Sequence, residues 1–297
     1  MSFQRLDGNE AGHPRVRLRT EPFGSGQGSA VGVLHYPLSH DMEDPAAEAD
    51  DQPEQRGFRI SAVIPTLNES RNIGAVLDRM PSYVDEVIIV DGGSVDGTVG
   101  TVRQHRPNAV IVKELRRGKG IALRSGFRAA SGDVIVMLDA DGSMAPEEIG
   151  RFLYLLADGY QLVKGSRFLI GGGSSDITWL RRLGNFSFRF AVNARYQAAM
   201  TDLCYGYCAF FRRDIEELNL QAEGFEIEVE LVTRALWAGL RIAEVPSFEQ
   251  RRLSGNSNLK IVRDGRRILR ALIDDSRTVP GRHQPVPAPV SDVTEPV

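Results

Sequence analysis

From Phe58 onward the chain alternates short apolar runs, rich in β-branched residues, with longer stretches whose apolar residues recur at helical spacing. No other feature constrains the fold as strongly. Such runs are too short for buried helices and read as strands. Strands separated by helices are joined by right-handed crossovers, which build a parallel sheet covered on both faces. The expected fold class is therefore α/β, with a mostly parallel central sheet and helices on both sides.

The pattern predicts strands at residues 59–65, 84–90, 109–112, 134–138, 162–164, 208–211 and 242–245. Helices are expected at 72–80, 98–104, from about 119 to 130, and at 146–157, 179–200 and 226–238, with a last basic helix at about 259–273. Residues 1–56 lack sustained periodicity: a Gly/Ser stretch at 24–29 and an acidic stretch at 41–54 cannot bury enough apolar surface to offset their ordering entropy. They are expected to be largely disordered, with only a weak strand signal at 31–34. One folded domain is expected over 57–275, and the prolines from Pro280 to Pro296 mark residues 276–297 as a disordered tail.

Composition excludes several classes. A net charge of −3 with 25% charged residues carries no nucleic-acid signal. Two cysteines, Cys204 and Cys208, make no disulfide framework, which fits a reducing cytoplasm, and they read as small apolar side chains. Apolar runs fall short of a membrane span and the N-terminus has no signal-peptide pattern, so any membrane contact is expected to be peripheral. Of five histidines only His105 lies in the patterned region, in what reads as a loop, which argues against a histidine metal site or a Ser-His-Asp triad.

The chemistry then falls to carboxylates, cations and backbone. The run Val134–Leu138 ends in Asp139-Ala140-Asp141-Gly142. Two acids at i and i+2 leaving a central strand share one side, at the edge where open α/β sheets bind ligands. They repel unless a positive centre lies between them, and a hard divalent cation carrying phosphates suits that place; a surface turn with two solvated aspartates is the plainer alternative. Turns after the first two strands carry Pro65, Asn68, Glu69 and then Asp91 and Asp96. Those neighbouring strand ends predict Glu69 and Asp91 side by side, ready to accept from nucleobase or ribose, whereas Ser94 and Asp96 read as turn and capping residues. Arg116, Arg117 and Lys119, with Gly118 and Gly120 at a helix start, are suited to anionic oxygens, aided by backbone N–H groups. Neither a P-loop, nor a dinucleotide fingerprint, nor a Gly-x-Ser-x-Gly elbow is present.

These motifs occur in the order found in glycosyltransferase family 2. Val63-Ile64-Pro65-Thr66-Leu67-Asn68-Glu69, Asp91-Gly92-Gly93-Ser94-Val95-Asp96-Gly97-Thr98, Gly118-Lys119-Gly120 and Asp139-Ala140-Asp141 carry the resemblance. Gly165-Ser166-Arg167-Phe168, Thr201-Asp202-Leu203, Phe225-Glu226-Ile227-Glu228 and Gly255-Asn256-Ser257-Asn258-Leu259 bring it nearer to dolichol- and polyprenyl-phosphate sugar synthases. The resemblance implies an A-type glycosyltransferase fold, the fold of nucleotide-diphospho-sugar transferases, and a catalytic domain over the folded region. It implies a nucleotide-sugar donor, GDP- or UDP-linked, held by Pro65, Leu67, Glu69, Asp91 and Lys119. Asp139 and Asp141 would bind Mg²⁺ or Mn²⁺ with the donor diphosphate, and Arg167 would face the phosphates. Relatives often carry a glutamine two residues after the second aspartate as a further ligand; here that residue is Ser143, and a water would complete the shell.

A polyprenyl-phosphate acceptor brings an oxygen already anionic at neutral pH and needs no base. A hydroxyl acceptor on a saccharide or natural product needs one, with Asp202 favoured over Glu228. Inversion at the anomeric carbon is expected either way; a non-catalytic nucleotide-sugar-binding module is a further alternative, as is a sugar-phosphate nucleotidyltransferase, though Pro65–Glu69 is not the Gly-rich loop that family opens with. Residues 179–199 and 251–272 interleave arginine with large apolar residues. Such helices either lie in an anionic membrane interface or pack on the core with a solvated basic face. Arg251 and Arg252 are also candidates to close over donor or acceptor phosphate.

Overall fold

The computed structural model describes residues 57–255. The N-terminal segment, its strand signal at 31–34, the basic helix at 259–273 and the proline-rich tail lie outside the described residues.

Three βα units and a fourth strand come first: β1 (Ile60–Thr66), α1 (Ile73–Asp78), β2 (Glu86–Asp91), α2 (Thr98–His105), β3 (Val110–Lys113), α3 (Lys119–Ala129) and β4 (Val134–Met137) alternate without a break. A 3₁₀ turn at Pro146–Glu148 leads into α4 (Ile149–Ala157), then β5 (Leu162–Ser166), β6 (Gly173–Ser174), α5 (Trp179–Tyr196), β7 (Cys208–Phe211), α6 (Arg212–Glu217), α7 (Ile227–Trp237), β8 (Ile242–Pro246) and β9 (Phe248–Glu249). Seven strands form one sheet in the order β3-β2-β1-β4-β7-β5-β8, while β6 and β9 pair apart from it. Every pairing in the large sheet is parallel except those of β7, which runs antiparallel between β4 and β5.

Strand alternation sorts the core into two layers. Ile60, Ala62 and Ile64 of β1, with Val134 and Val136 of β4, face Ile73, Val76 and Leu77 of α1 and Phe152, Leu153 and Leu156 of α4. Val63, Ile88, Ile135 and Met137 face the other way, onto Leu123 and Phe127 of α3 and Ile227 and Leu231 of α7. Both faces of β4 are buried, which is why its sequence is continuously apolar rather than alternating. Each such side chain contributes roughly 1.5–3 kcal/mol on burial. Helix α3 lies close against the sheet at Gly126, where an added Cβ would fall 2.3 Å from Val63 Cγ1 and 2.9 Å from Val90 Cγ2.

The structure corrects several boundaries. α5 stops at Tyr196 instead of 200, because Gln197 takes a left-handed backbone with φ of 53° and closes the helix onto the Asn193 carbonyl. His105 ends α2 rather than lying in a loop, and its Nδ1 meets Asp78 Oδ1 of α1 at 2.8 Å. α6 and the two-residue strands β6 and β9 carry too little pattern to be read from the sequence.

Candidate functional site

Because β1, β2 and β4 run parallel, the loops after all three open on one edge of the sheet. The register pairs Thr66 with Asp91 and Val63 with Met137, so the motif-bearing turns leave from neighbouring strand ends. The first two turns are clasped together. Asn68, in a left-handed conformation (φ 58°), donates its N–H to Ser94 Oγ at 2.9 Å and accepts from the Val95 N–H at 2.9 Å. Asp96 accepts from the N–H groups of Ser70 (3.0 Å) and Thr98 (3.1 Å). Burial alone would raise the pKa of Asp96, but the hydrogen bonds from Thr98 and Ser70 outweigh it and hold it at about 2. Ser94 and Asp96 therefore cap and tie loops, as expected. Asp91 is buried and accepts from the N–H groups of Gly93 and Ser94 in its own turn. The Glu69 carboxylate accepts from Asn72 and leans toward Arg252, 3.7 Å away. Burial raises the pKa of Glu69 against the Asn72 bond, and Asp141 adds to the rise. Leu67 is exposed above the Gly92 turn.

Asp139 and Asp141 both occur at the cleft, as the strand-end placement predicts, and each already has a cation. Lys119 Nζ lies 2.6 Å from Asp139 Oδ1 and 2.8 Å from Glu228 Oε1, over the Phe225 ring. Burial works to lower the Lys119 pKa, but the two carboxylates overcome it and raise it. Burial raises that of Asp139, Lys119 opposes it, and Asp141 reinforces it. Arg252 Nη2 lies 2.8 Å from Asp141 Oδ2, and the Ser143 N–H donates to Asp141 Oδ1 at 2.9 Å.

Two further expectations need correction. The start of α3 is not an open anion cradle: the Glu223 carbonyl accepts from the N–H groups of Gly120 (2.9 Å) and Ile121 (3.2 Å). Gly118 and Gly120 serve that docking, since a Cβ on either would fall within 2.3 Å of the 222–223 carbonyl oxygens. Arg116 turns aside to Glu114, at 2.7 Å. Arg167 and Asp202 do not line the cleft either. The guanidinium forks onto Asp202 (2.7 and 3.0 Å) and reaches Glu249 (3.1 Å), with only 2% of the Arg167 side chain and none of Asp202 exposed. Burial would lower the Arg167 pKa; Asp202 and Glu249 raise it instead. Asp202 also accepts from the Arg167 and Cys204 N–H groups, so it has no open approach for a hydroxyl, and Glu228 is engaged by Lys119.

Beyond this buried pair lies α5. Only Asn185 and Val192 of its residues are buried, and Asn185 Oδ1 accepts from the Leu203 and Cys204 N–H groups, fastening the helix to the Asp202 loop. Trp179 is 74% exposed and Phe190 69%, and the Arg189 guanidinium stacks 5.1 Å over Phe186. Val192 joins the core, with Phe188 and Tyr196 packed against it, so the helix has one face on the core and presents Trp179, Phe186 and Phe190 outward. A groove of about 410 Å³ lies against α5, lined by Phe168, Arg182, Asn185, Phe186, Arg189 and Thr201 among others. Among the described residues no helix is long and apolar enough to cross a membrane. Cys208 is buried in β7 and Cys204 partly buried, as small side chains.

A hard divalent cation suits the Asp139–Asp141 pair only with help. Among the described residues no group of three or more His, Cys, Asp or Glu side chains is arranged to hold a metal. One or two carboxylates completed by substrate phosphates and water is the usual set for Mg²⁺, and a cation, the Arg252 guanidinium, already rests against Asp141. The donor set fits a cation that arrives with a diphosphate.

Sequence comparison places residues 61–218 on the profile described as Glycosyl transferase family 2. A polyprenol monophosphomannose synthase of Mycolicibacterium smegmatis is 32% identical over 231 residues, covering 71% of this chain and 83% of the relative. An undecaprenyl-phosphate mannosyltransferase of Micrococcus luteus is 31% identical, covering 66% and 86%. Among solved structures, glucosyl-3-phosphoglycerate synthase from Mycobacterium tuberculosis, in complex with Mn²⁺, uridine diphosphate and phosphoglyceric acid, superposes with a TM-score of 0.61 at 25% identity, covering 76% of this chain and 80% of that one.

Proposed function

Because this chain belongs to glycosyltransferase family 2, we propose that it moves a hexosyl group from a nucleotide-sugar donor to a polyprenyl phosphate, with inversion and with Mg²⁺ or Mn²⁺ at Asp139 and Asp141. The observation that carries the acceptor is the exposed, arginine-bearing apolar face of α5 with the groove against it. A water-soluble acceptor gives no reason to expose Trp179, Phe186 and Phe190 together, whereas a lipid phosphate brings both an apolar chain and an anion. The relatives named for polyprenol and undecaprenyl phosphate support the same reading.

In this reading Pro65, Leu67, Glu69 and Asp91 form the nucleoside side of the cleft and Lys119 fixes the position of Asp139. The cation, when bound, supplies charge stabilisation to the departing diphosphate. The acceptor phosphate oxygen forms its bond to the anomeric carbon from the face opposite the leaving group. The bond from that carbon to the diphosphate breaks, and its electron pair leaves with the nucleoside diphosphate. No proton moves, so the engagement of Asp202 and Glu228 costs the reaction nothing.

A hydroxyl acceptor is the second reading, favoured by the likeness to glucosyl-3-phosphoglycerate synthase. The two separate on one experiment: purified chain with Mn²⁺ or Mg²⁺, a panel of labelled nucleotide sugars, and polyprenyl phosphate in detergent. Label in an organic-extractable product cleaved by mild acid supports the lipid acceptor. Label on a water-soluble product alone, with the lipid present, refutes it. Asp141→Asn is expected to fold normally and lose transfer by at least about a hundredfold, the usual scale for losing a stabiliser of transition-state charge; near-normal turnover would refute its role.

A further inference from the structure

Arg252 lies between two acids of the cleft, Asp141 (2.8 Å) and Glu69 (3.7 Å). Its loop is attached to the Asp-Ala-Asp turn by main-chain bonds on either side of the guanidinium. The Leu253 N–H donates to the Asp141 carbonyl (3.1 Å) and the Gln250 N–H to the Ser143 carbonyl (2.8 Å). Asn72 Nδ2 holds the Ser254 carbonyl at 3.0 Å, and Leu253 rests on Gly142 so closely that a Cβ there would fall 2.7 Å from it.

The two acids are therefore neutralised in different ways. Lys119, on Asp139, is 11% exposed, starts a helix and is shared with Glu228. Arg252, on Asp141, is 20% exposed and rides on a loop whose attachment is to the very turn it neutralises. Two positive centres sharing one small carboxylate repel steeply. A divalent cation on Asp141 and the guanidinium in its present place exclude each other.

We propose that Arg252 is a resident counter-ion that an incoming divalent cation must displace from Asp141, so that cation binding and release of residues 250–255 are one coupled event. The inference rests on the reading of Asp141 as a cation ligand. Coupling of this kind is reciprocal: what holds the loop down weakens the cation, and removing the guanidinium tightens it. The bare cation binds weakly, a diphosphate supplies the ligands that tip the exchange, and the freed guanidinium is left beside the anion just delivered.

The test titrates Mn²⁺ alone, read by the electron paramagnetic resonance of the free ion, into the whole chain and its variants. Arg252→Gln is expected to bind Mn²⁺ roughly three- to tenfold tighter than wild type, and Arg252→Lys, which keeps the charge, within about twofold of it. Asp141→Asn locates the signal by losing it. Equal or weaker affinity in Arg252→Gln overturns the coupling and leaves the transferase reading standing. Undiminished Mn²⁺ binding by Asp141→Asn overturns the coupling together with the cation site. As a second readout, saturating Mn²⁺ should speed hydrogen exchange at the Leu253 and Gln250 amides of wild type; unchanged protection there overturns the proposal as well.

Discussion

Arg167 offers the sharpest separation between a structural and a phosphate-binding role. Its guanidinium is 2% exposed and makes two short bonds to Asp202, which is fully buried, and one to Glu249, 9% exposed. Replacing Arg167 with Met fills most of the volume but leaves Asp202 with backbone N–H partners only, and Glu249 with Ser174 and a distant Arg181 at 3.8 Å. Removing one member of a buried ion pair costs roughly 3–5 kcal/mol, because the remaining charge stays desolvated. In a domain of this size each kcal/mol moves the midpoint by about 2–4 °C, so the melting temperature should fall by about 6–20 °C. The double variant Arg167→Met/Asp202→Asn no longer strands the Asp202 charge and should recover about 2 kcal/mol relative to the sum of the single changes. Urea unfolding followed by circular dichroism, run on all four corners of the cycle, measures both quantities. A fully stable Arg167→Met that cannot transfer sugar would refute the buried-strut account and return the residue to the phosphates.

Asp96→Asn loses the tie between the first two loops and should cost about 1 kcal/mol at neutral pH. The folded pKa of Asp96 is depressed to about 2 from 3.8, so its contribution is complete above that ordinary value and is lost as pH falls toward 2; the melting difference from wild type should shrink over that window, and a constant difference would refute the linkage. Trp179→Ser with Phe190→Ser should leave thermal stability unchanged, since both are exposed, yet weaken sedimentation with anionic vesicles by roughly tenfold and raise the KM for lipid acceptor. Undiminished vesicle binding would refute the membrane-facing role of α5. Chelation with EDTA should stop transfer and added Mn²⁺ or Mg²⁺ restore it, whereas turnover persisting in chelator would refute the cation requirement.

Local pattern carried much of this molecule. The runs 60–66, 86–91 and 134–137 announce their strands because β-branched residues cluster there, and Asp139 and Asp141 follow from the strand end. What failed to show was whatever depends on distant chain. Gly118-Lys119-Gly120 looks like an anion cradle until the Glu223 carbonyl is seen to accept from the N–H groups of Gly120 and Ile121. Asp202 looks like a free carboxylate because nothing around it announces Arg167, thirty-five residues earlier, as its partner. Cys208–Phe211 is a uniformly apolar run without direction, so its antiparallel course was invisible. The pairing of Lys119 with Asp139 and Glu228 had a signal after all, in that all three belong to motifs the resemblance quotes, but spacing alone does not join them.

The course of β7 also bears on how the protein is made. Until Cys208–Phe211 emerges from the ribosome, β4 offers a bare row of N–H and carbonyl groups flanked by Ile135 and Met137, for the roughly seventy residues of synthesis that separate Met137 from Cys208. At ordinary elongation rates that interval lasts seconds, long compared with hairpin formation. The strand inserted between β4 and β5 thus closes a gap that stood open while both were already made, and the nascent chain spends aggregation-prone moments waiting for it.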